Sequence, residues 1–189
     1  MQKTLNDLNK DDWNRLFPVA LEKHNPHWKN LFEREKALIL KQLSPNQIIR
    51  IEHFGSTAIP TIMAKPYIDL LIEIPEKLLF HPTLIREFET LGYTHFKVPE
   101  RDQIAAYSSF GKGYFPDGRP AQKFHIHLCP KDNFMWQQLQ FRDYLLQHPE
   151  RAKAYETLKL NLAKKRKNDR GAYVLGKTDF VMETIALCH

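Results

Sequence analysis

The spacing of hydrophobic residues changes along the chain and predicts a series of elements. Between residues 11 and 43, after a loop at Pro26, apolar residues recur with a helical period of roughly 3.6. The positions expected to face the core from this helix are Trp28, Leu31, Phe32, Ala37, Leu38 and Leu40. Two runs rich in Ile and Leu, 48–54 and 67–74, then predict strands. The segment between them, 57–66, carries two prolines and predicts a turn with one or two helical turns.

The second half of the chain predicts one more helix, three strands and then helices to the end. Pro82 and Gly92 bracket a helix over 82–91, because proline suits the first position of a helix and glycine suits the residue after it. The remaining predicted elements are strands over 93–98, 104–110 and 123–128 and helices from 133 onward, broken at 168–171.

This order predicts an α+β fold, a mixed sheet with flanking helices and a helical C-terminal cap. We expect an α+β core over residues 1–132, including the N-terminal helix, and a cap over 133–189. The two parts are expected to pack together as a single compact unit.

The composition is that of a globular protein. Hydrophobic residues make up 42% and charged residues 26% of the 189-residue chain, which excludes the disordered class. Because Cys129 and Cys188 are the two cysteines, a disulfide framework is excluded and a reduced, cytoplasmic setting is expected. The N-terminus shows no signal-peptide pattern and no apolar run is long enough to span a bilayer, so we expect no membrane partner.

The net charge adds a preference for anionic partners without choosing among them. Lys and Arg number 28 against 22 Asp and Glu, which gives +6. Nucleic acid, a nucleotide and simple solubility all fit this excess. Four consecutive basic residues, 164–167, fall at a predicted helix C-terminus, where cations suit the helix dipole. RNA binding through the basic helices is therefore a third hypothesis that rests on charge alone.

The most informative chemistry lies at the end of the first predicted strand. Gly55 and Ser56 end that strand, and Asp69 follows Ser56 by thirteen residues on the next one. Such a turn exposes backbone N–H groups and a hydroxyl where a phosphate can bind. A carboxylate on the neighbouring strand supplies an oxygen ligand for a hard cation. The alternative is an ordinary strand-ending turn, for which Gly and Ser are common.

Several motifs together carry a resemblance to a known family. Residues 53–69 contain Gly-Ser-Thr-Ala-Ile-Pro and then Ala-Lys-Pro-Tyr-Ile-Asp. Further motifs are Asn25-Pro26-x-Trp28, the His-x-His of 125–127, and tail residues that include Tyr155, Lys159, Tyr173 and Lys177. With these motifs the chain resembles the GrpB family, which is assigned to the nucleotidyltransferase superfamily.

The resemblance implies a nucleotidyltransferase-like sheet and transfer of a nucleotidyl group from a nucleoside triphosphate. On that basis Gly55, Ser56 and Lys65 would bind the nucleotide, and Asp69 would ligate a divalent metal. Mg²⁺ or Mn²⁺ is the expected metal, with Zn²⁺ as the alternative. The acceptor is open: a small molecule, a protein hydroxyl and an RNA end all fit.

The predicted cap repeats Tyr-x-x-x-Lys twice, at Tyr155/Lys159 and Tyr173/Lys177. A spacing of four places each pair on one face of a helix. A tyrosine beside a base and lysines on phosphates would suit a nucleotide cap, and the resemblance favours this role for Lys159 and Lys177. The alternative is that the tyrosines form the rim of the core and the lysines a solvated helix surface.

The chain departs from the superfamily pattern at the second acid. That pattern places two carboxylates two residues apart on one strand, whereas here the position two after Asp69 is Leu71. The next acid is Glu73, and four residues of strand separate it from Asp69 by about 13 Å, too far to chelate one ion. The paired-carboxylate site is therefore incomplete on this strand.

His125 and His127 are the candidates to complete the site. Residues two apart on a strand point to the same side, so both imidazoles can enter one cleft. A histidine there could bind metal, act as a general base or contact phosphate, and imidazole favours Zn²⁺ or Mn²⁺ over Mg²⁺. The alternative is a pair of strand residues satisfied by polar neighbours. Cys129 continues the alternation but lies about 13 Å beyond His125, which disfavours a shared ligand set.

These observations lead to one main hypothesis and two rivals. The first is a metal-dependent nucleotidyltransferase with Asp69, His125 and His127 as catalytic residues and Asp69 and His127 as metal ligands. Nucleotide binding is assigned to Gly55, Ser56, Lys65, Lys159, Tyr173 and Lys177. The second is a nucleotide-binding or protein-interaction module that has lost catalysis, which Leu71 supports. RNA binding is the third.

Overall fold

The centre of the structure is a mixed sheet. The computed structural model describes residues 4–166 and 169–188, and within them five strands share one sheet. The strands are β1 (Arg50–Phe54), β2 (Tyr67–Glu73), β3 (Thr94–Val98), β4 (Tyr107–Lys112) and β5 (Lys123–Cys129). Their order across the sheet is β1-β2-β5-β4-β3, with β2 and β5 parallel and the other neighbours antiparallel. The predicted α+β fold with a mixed sheet is confirmed.

Helices flank the sheet and follow it. They are α1 (Lys10–Leu16), α2 (His27–Gln42), α3 (Pro82–Thr90), α4 (Gln137–Gln147), α5 (Pro149–Lys165), α6 (Arg170–Leu175) and α7 (Thr178–Ala186). A short 3₁₀ turn, Ser56–Ala58, follows β1 as the turn residues predicted. Among these helices of residues 4–166 and 169–188, none combines the length and the apolar character needed to cross a membrane.

The two faces of the sheet carry different residues. On one face, alternate residues of β2 and β5 join helices α2 and α3 in the largest apolar cluster, with Phe88 and Ile126 fully buried. The other face carries the remaining residues of the same strands, among them Asp69 and His125, because side chains alternate along a strand. Helix α1 and the C-terminal helices pack on this second face, which becomes the floor of the candidate site.

The C-terminal helices are attached to the core through the turn after β1. Ile59 and Ile62 from that segment pack in one apolar cluster with Phe141, Leu145 and Tyr155 of the helices. This packing brings the predicted cap directly over the Gly-Ser turn.

The prediction for the N-terminal region was wrong in two respects. Residues 11–43 form two helices, α1 and α2, separated by an extended segment in which Glu22 pairs with Ala64. Pro18 and Pro26 lie in this break, where proline removes a backbone donor. The face of α2 was also misassigned: Ala37 is exposed, Leu38 and Leu40 are 48% and 49% exposed, and Ile39 is fully buried. Trp28 and Phe32 are buried as predicted.

The helical tail contains a break that the pattern did not predict. The predicted interruption at 168–171 lies partly outside the described residues, and α5 ends at Lys165 and α6 begins at Arg170. A second interruption at Gly176 and Lys177 separates α6 from α7. Because only Gly176 and Lys177 separate the two helices, the spacing of apolar residues did not predict this turn.

The corrected face of α2 gives a stability prediction. Ile39→Ala should lower the free energy of unfolding by about 2 to 5 kcal/mol, because it opens a cavity in the main core. Leu38→Ala, one position away and exposed, should change it by no more than about 0.5 kcal/mol. Urea unfolding followed by circular dichroism measures both, and equal losses in the two variants would refute the assignment of the buried face.

Candidate functional site

Strand pairing places one acid and two histidines side by side. In the β2–β5 register Asp69 lies opposite His125 and Leu71 lies opposite His127. His125 Nδ1 is 3.6 Å from Asp69 Oδ1. One ligand atom from each of Asp69, His125 and His127 lies within 4.8 Å of the other two. The parallel pairing thus brings together residues that are more than fifty positions apart in the chain.

Hydroxyl groups hold the far nitrogen of each imidazole. His125 Nε2 is 2.8 Å from Ser109 Oγ, and His127 Nδ1 is 3.2 Å from the Tyr107 hydroxyl. These contacts leave Nδ1 of His125 and Nε2 of His127 as the nitrogens available to a ligand. Partners of this kind orient the rings of metal-binding histidines and set their tautomers.

The electrostatics of the cluster favour the deprotonated forms of Asp69 and His127. Burial lowers the pKa of His127 to about 3, and the neighbouring His125 acts in the same direction. Burial alone would raise the pKa of Asp69, but the contact with His125 and the charges of His127 and Lys65 hold that pKa below its ordinary value. At neutral pH the cluster therefore presents a carboxylate and a neutral imidazole, the forms that bind metals.

The separations fit a single divalent ion. Ligands at about 2.1 Å from a tetrahedral ion lie about 3.4 Å from one another, so the 3.6 Å between Asp69 and His125 is suitable as it stands. The ligand atoms of all three residues lie within 4.8 Å of one another. A donor set of one carboxylate and two imidazoles suits Zn²⁺ or Mn²⁺ better than Mg²⁺.

Gly55 is required by the approach of Asp69. Its φ is +71°, a conformation that favours glycine, and a Cβ at this position would lie 2.4 Å from Asp69 Oδ2. The turn therefore brings backbone against the carboxylate with no side chain between them. Ser56 begins the 3₁₀ turn at the same point.

A matched pair of glycine variants tests this contact. Gly55→Ala and Gly92→Ala both place a side chain at positive φ, so each should cost about 1 to 3 kcal/mol of stability. A Cβ at Gly92 meets nothing within 4 Å, whereas that at Gly55 displaces the Asp69 carboxylate. Titration calorimetry with Mn²⁺ should show at least about a tenfold loss of affinity in Gly55→Ala alone. Equal metal affinity in the two variants would refute the role of Gly55.

Lys159 connects the cap to the Gly-Ser turn. Its side chain is 1% exposed, and Nζ donates to Ser56 Oγ at 3.1 Å and to the carbonyl oxygen of Met63. Glu156, one turn earlier on α5, accepts from the backbone N–H of Met63 at 2.7 Å. Two residues of the cap thus clamp the segment after β1, and one of them places a cation behind the serine.

Cations accumulate around this turn. Burial, followed by the positive charges of Lys177 and Arg170, lowers the pKa of Lys65 to about 7. Burial, followed by the charge of Lys177, likewise lowers the pKa of Lys159 to about 7. Burial is the larger cause for both lysines, and repulsion from the neighbouring cations adds to it.

The site opens into a cavity of about 350 Å³. Eight of the nine residues predicted from the sequence line it: Gly55, Ser56, Lys65, Asp69, His125, His127, Tyr173 and Lys177. The ninth, Lys159, lies behind Ser56. The sequence therefore selected residues that the fold brings to one place, while their roles stay predictions.

The two Tyr-x-x-x-Lys pairs are arranged differently from each other. Tyr155 and Lys159 share α5 as predicted, with Nζ 4.9 Å from the ring centroid. Tyr173 lies on α6 and Lys177 precedes α7, so the prediction of one helical face was wrong for this pair. Lys177 Nζ nevertheless lies 4.9 Å from the Tyr173 ring centroid, because the turn between the helices folds it back.

Sequence reasoning missed several residues that line the cavity. Arg170 donates to the carbonyl oxygen of Phe17 and lies 3.4 Å from the Tyr67 hydroxyl. Arg142 donates to the carbonyl oxygen of His53 at 2.7 Å. Both come from helices distant in sequence, so no spacing signal marks them. Tyr107 and Ser109 alternate on β4 as the histidines do on β5, and this signal could have found them.

The comparisons with known proteins agree with this architecture. A family model described as GrpB protein matches residues 18–186. The chain belongs to the GrpB family. The glutamate-rich protein GrpB of Alkalihalophilus pseudofirmus is 37% identical, over 88% of this chain and 94% of the relative. The UPF0157 protein YqkA of Bacillus subtilis is 33% identical over 86% of this chain, which spans only 45% of that relative.

Solved structures extend the likeness to the fold. The conserved protein GrpB from Enterococcus faecalis superposes with a TM-score of 0.73 at 28% identity, over 89% of this chain and 96% of that one. The Cid1 poly(U) polymerase, in a structure with Mg 3'-dATP bound, gives a TM-score of 0.53 at 15% identity, over 82% of this chain and 49% of that one. The GrpB-family chain therefore has a nucleotidyltransferase-like fold.

Proposed function

We propose that this GrpB-family chain is a metal-dependent nucleotidyltransferase that uses a nucleoside triphosphate. The observation that carries the proposal is the convergence of Asp69, His125 and His127 beside the Gly55–Ser56 turn. A metal-ligand cluster and a cluster of cations face one cavity, and this combination suits a polyphosphate that is bound together with a divalent ion.

The chain's own residues would bind and orient the triphosphate. The turn at Gly55 and Ser56 offers backbone N–H groups and a hydroxyl to phosphate oxygens. Lys65, Lys159 and Lys177 would offset the negative charge that the leaving pyrophosphate carries. Asp69, with His125 and His127, would hold the metal, which supplies Lewis-acid polarisation of a phosphoryl oxygen when bound.

The reaction is an in-line displacement at the α-phosphorus. The acceptor oxygen forms a bond to that phosphorus, the α–β phosphoanhydride bond breaks, pyrophosphate leaves, and the acceptor proton passes to solvent. Tyr155 and Tyr173 line the same cavity and provide aromatic surface for the base.

A ligand panel tests the proposal. We expect the melting temperature to rise with at least one nucleoside triphosphate, and to rise further with Mn²⁺ or Zn²⁺, because ligands that bind the folded state stabilise it. Label from an α-labelled triphosphate should then reach an acceptor in a cell lysate. If no triphosphate raises the melting temperature at millimolar concentration, the proposal fails.

A binding module without catalysis is the second candidate, and one observation favours it. Leu71, at the position of the superfamily's second acid, is fully buried in an apolar cluster with Phe54, Cys129 and Met135. Because an apolar side chain occupies this position, residue 71 supplies no carboxylate to the site. Thermal stabilisation by a triphosphate without any transfer of α-label in the lysate would support this second candidate over the first.

A further inference from the structure

A second cavity lies on the side of His125 away from the Gly-Ser turn. It measures about 170 Å³ and is walled by the rings of Trp13, Phe96 and Tyr114. The ring centroid of Trp13 is 6.0 Å from that of Phe96 and 5.7 Å from that of Tyr114, both in edge-to-face contact. We call this space the aromatic pocket.

The floor of the aromatic pocket is continuous with the metal-ligand cluster. Ser109 and Gly111 of β4 form part of it, and they lie opposite His127 and His125 in the β4–β5 register. His125 lines both cavities. Its Nδ1 lies near Asp69, and its Nε2 contacts Ser109.

Size and polarity limit what the aromatic pocket can hold. Ligand pockets usually measure about 300 to 1,000 Å³, so a space of about 170 Å³ fits a single ring rather than a whole nucleotide. Three aromatic walls favour a planar, largely apolar group. Arg170 lines both cavities and offers a cation to an acidic or hydrogen-bond-accepting substituent.

Gly111 lines the aromatic pocket without a side chain that would fill it. A Cβ at this position would lie 3.1 Å from the Tyr114 ring and 3.4 Å from the Phe96 ring. A larger side chain here would therefore occupy the space between the two rings.

The order of the strands places the Gly-Ser turn and the aromatic pocket on opposite sides of the metal-ligand cluster. The phosphate-binding turn follows β1, the metal-ligand cluster lies on β2 and β5, and the aromatic pocket lies over β4 and β3. In an in-line displacement the attacking and leaving groups lie on opposite sides of the phosphorus. With pyrophosphate held beside Ser56, the aromatic pocket lies on the opposite side of the metal-ligand cluster, where an attacking group could be placed.

We propose that the aromatic pocket binds the acceptor, a small molecule that carries its nucleophilic hydroxyl on or beside a planar ring. The inference rests on the proposed function and names the acceptor class for it. The acceptor oxygen bonds to the α-phosphorus, pyrophosphate leaves towards the Gly-Ser turn, and the acceptor proton passes to solvent.

Fluorine NMR on protein labelled with 5-fluorotryptophan tests the proposal, with 4-hydroxyphenylacetate as the probe. The chain has three tryptophans, Trp13, Trp28 and Trp136, so Trp28 in the main core serves as an internal reference. The probe should shift the Trp13 resonance with a millimolar dissociation constant, as expected for a ligand of this size, and leave that of Trp28 unchanged. No shift of Trp13 would overturn the proposal.

A competition arm separates the acceptor from the base of the nucleotide. The probe should bind with the same affinity when an α,β-non-hydrolysable ATP analogue and Zn²⁺, a diamagnetic ion that suits the donor set, saturate the protein. Displacement of the probe would assign the aromatic pocket to the base and overturn the proposal. If no nucleotide binds at all, the proposed function fails, while a Trp13 shift with the probe still establishes the pocket.

Variants locate the probe through ligand-observed saturation transfer. Gly111→Val should abolish binding of the probe, and Trp13→Ala should weaken it about fivefold or more by removing one wall. Arg15→Ala, on the same helix with a side chain 73% exposed, should leave it unchanged. If Gly111→Val proves unfolded, Trp13→Ala decides, and wild-type affinity in that variant would overturn the proposal.

Discussion

Asp69→Asn should reduce nucleotidyl transfer by about a thousandfold or more, equivalent to about 4 kcal/mol of transition-state stabilisation. The substitution keeps the shape of the side chain but removes the one carboxylate of the metal-ligand cluster. Because the position two after Asp69 is the buried Leu71, and Glu73 pairs with Arg50, no neighbouring carboxylate on β2 can take over. We expect the variant to lose both metal affinity and transfer.

Glu73→Gln is the matched control for Asp69→Asn. Glu73 lies on the same strand and the same side, but it pairs with Arg50 at 2.5 Å rather than with the histidines. Titration calorimetry with Mn²⁺ and transfer of α-label should therefore change no more than about twofold in this control. Wild-type metal affinity in Asp69→Asn, or loss of it in Glu73→Gln, would contradict the assignment of the site.

Lys159→Met should weaken triphosphate binding between about tenfold and about a hundredfold, the range for hydrogen bonds to charged groups. The buried lysine stands behind Ser56, at the closed end of the cation cluster. Methionine fills a similar volume without the charge but removes the donor to the Met63 carbonyl oxygen, so circular dichroism has to show that the variant is folded. Lys164→Met, at the exposed end of α5, is the control and should bind like the wild type.

The same lysines predict how binding depends on pH. In the free protein Lys65 and Lys159 have pKa values of about 7, and a bound polyanion raises those values. Below pH 7 both lysines are already charged and binding takes up few protons. Above pH 7 binding must take up protons, so affinity should fall by up to about tenfold per pH unit for each proton taken up.

Calorimetry in buffers of different ionisation enthalpy measures this proton uptake directly. At pH 8 the wild type should take up protons on binding a triphosphate, and Lys159→Met should take up fewer, by up to one. An unchanged uptake in Lys159→Met would show that Lys159 does not face the phosphates.

Local patterns carried enough information for the strands and for most of the candidate site. A run rich in Ile and Leu marked β2, the alternation of residues marked β5, and the Gly-Ser dipeptide marked the turn after β1. The incompatibility of Asp69 with Glu73 as joint ligands also followed from strand geometry alone, since the rise per residue sets their separation. These properties depend on neighbours in sequence, which is why they could be predicted.

The buried face of α2 and the turn between α6 and α7 could not be read in the same way. In α2, three adjacent apolar residues, Leu38, Ile39 and Leu40, offer the helix competing faces, and packing against the sheet selects Ile39. At Gly176 the chain turns because α7 packs back against α4 and α5, a contact between distant segments. Where the local sequence favours two helix faces equally, or does not mark a turn, contacts between distant segments determine the structure.

By itself the sequence determined the fold class and the residue types of the site, because both depend on short-range spacing, and its motifs carried the resemblance to the GrpB family. Only the tertiary structure decided that parallel pairing sets Asp69 opposite His125 and that Lys159 reaches Ser56. It also decided that Arg170 and Trp13 enclose the far side of the cluster. Strand order and helix docking are set by the burial of the whole core, which no local spacing encodes.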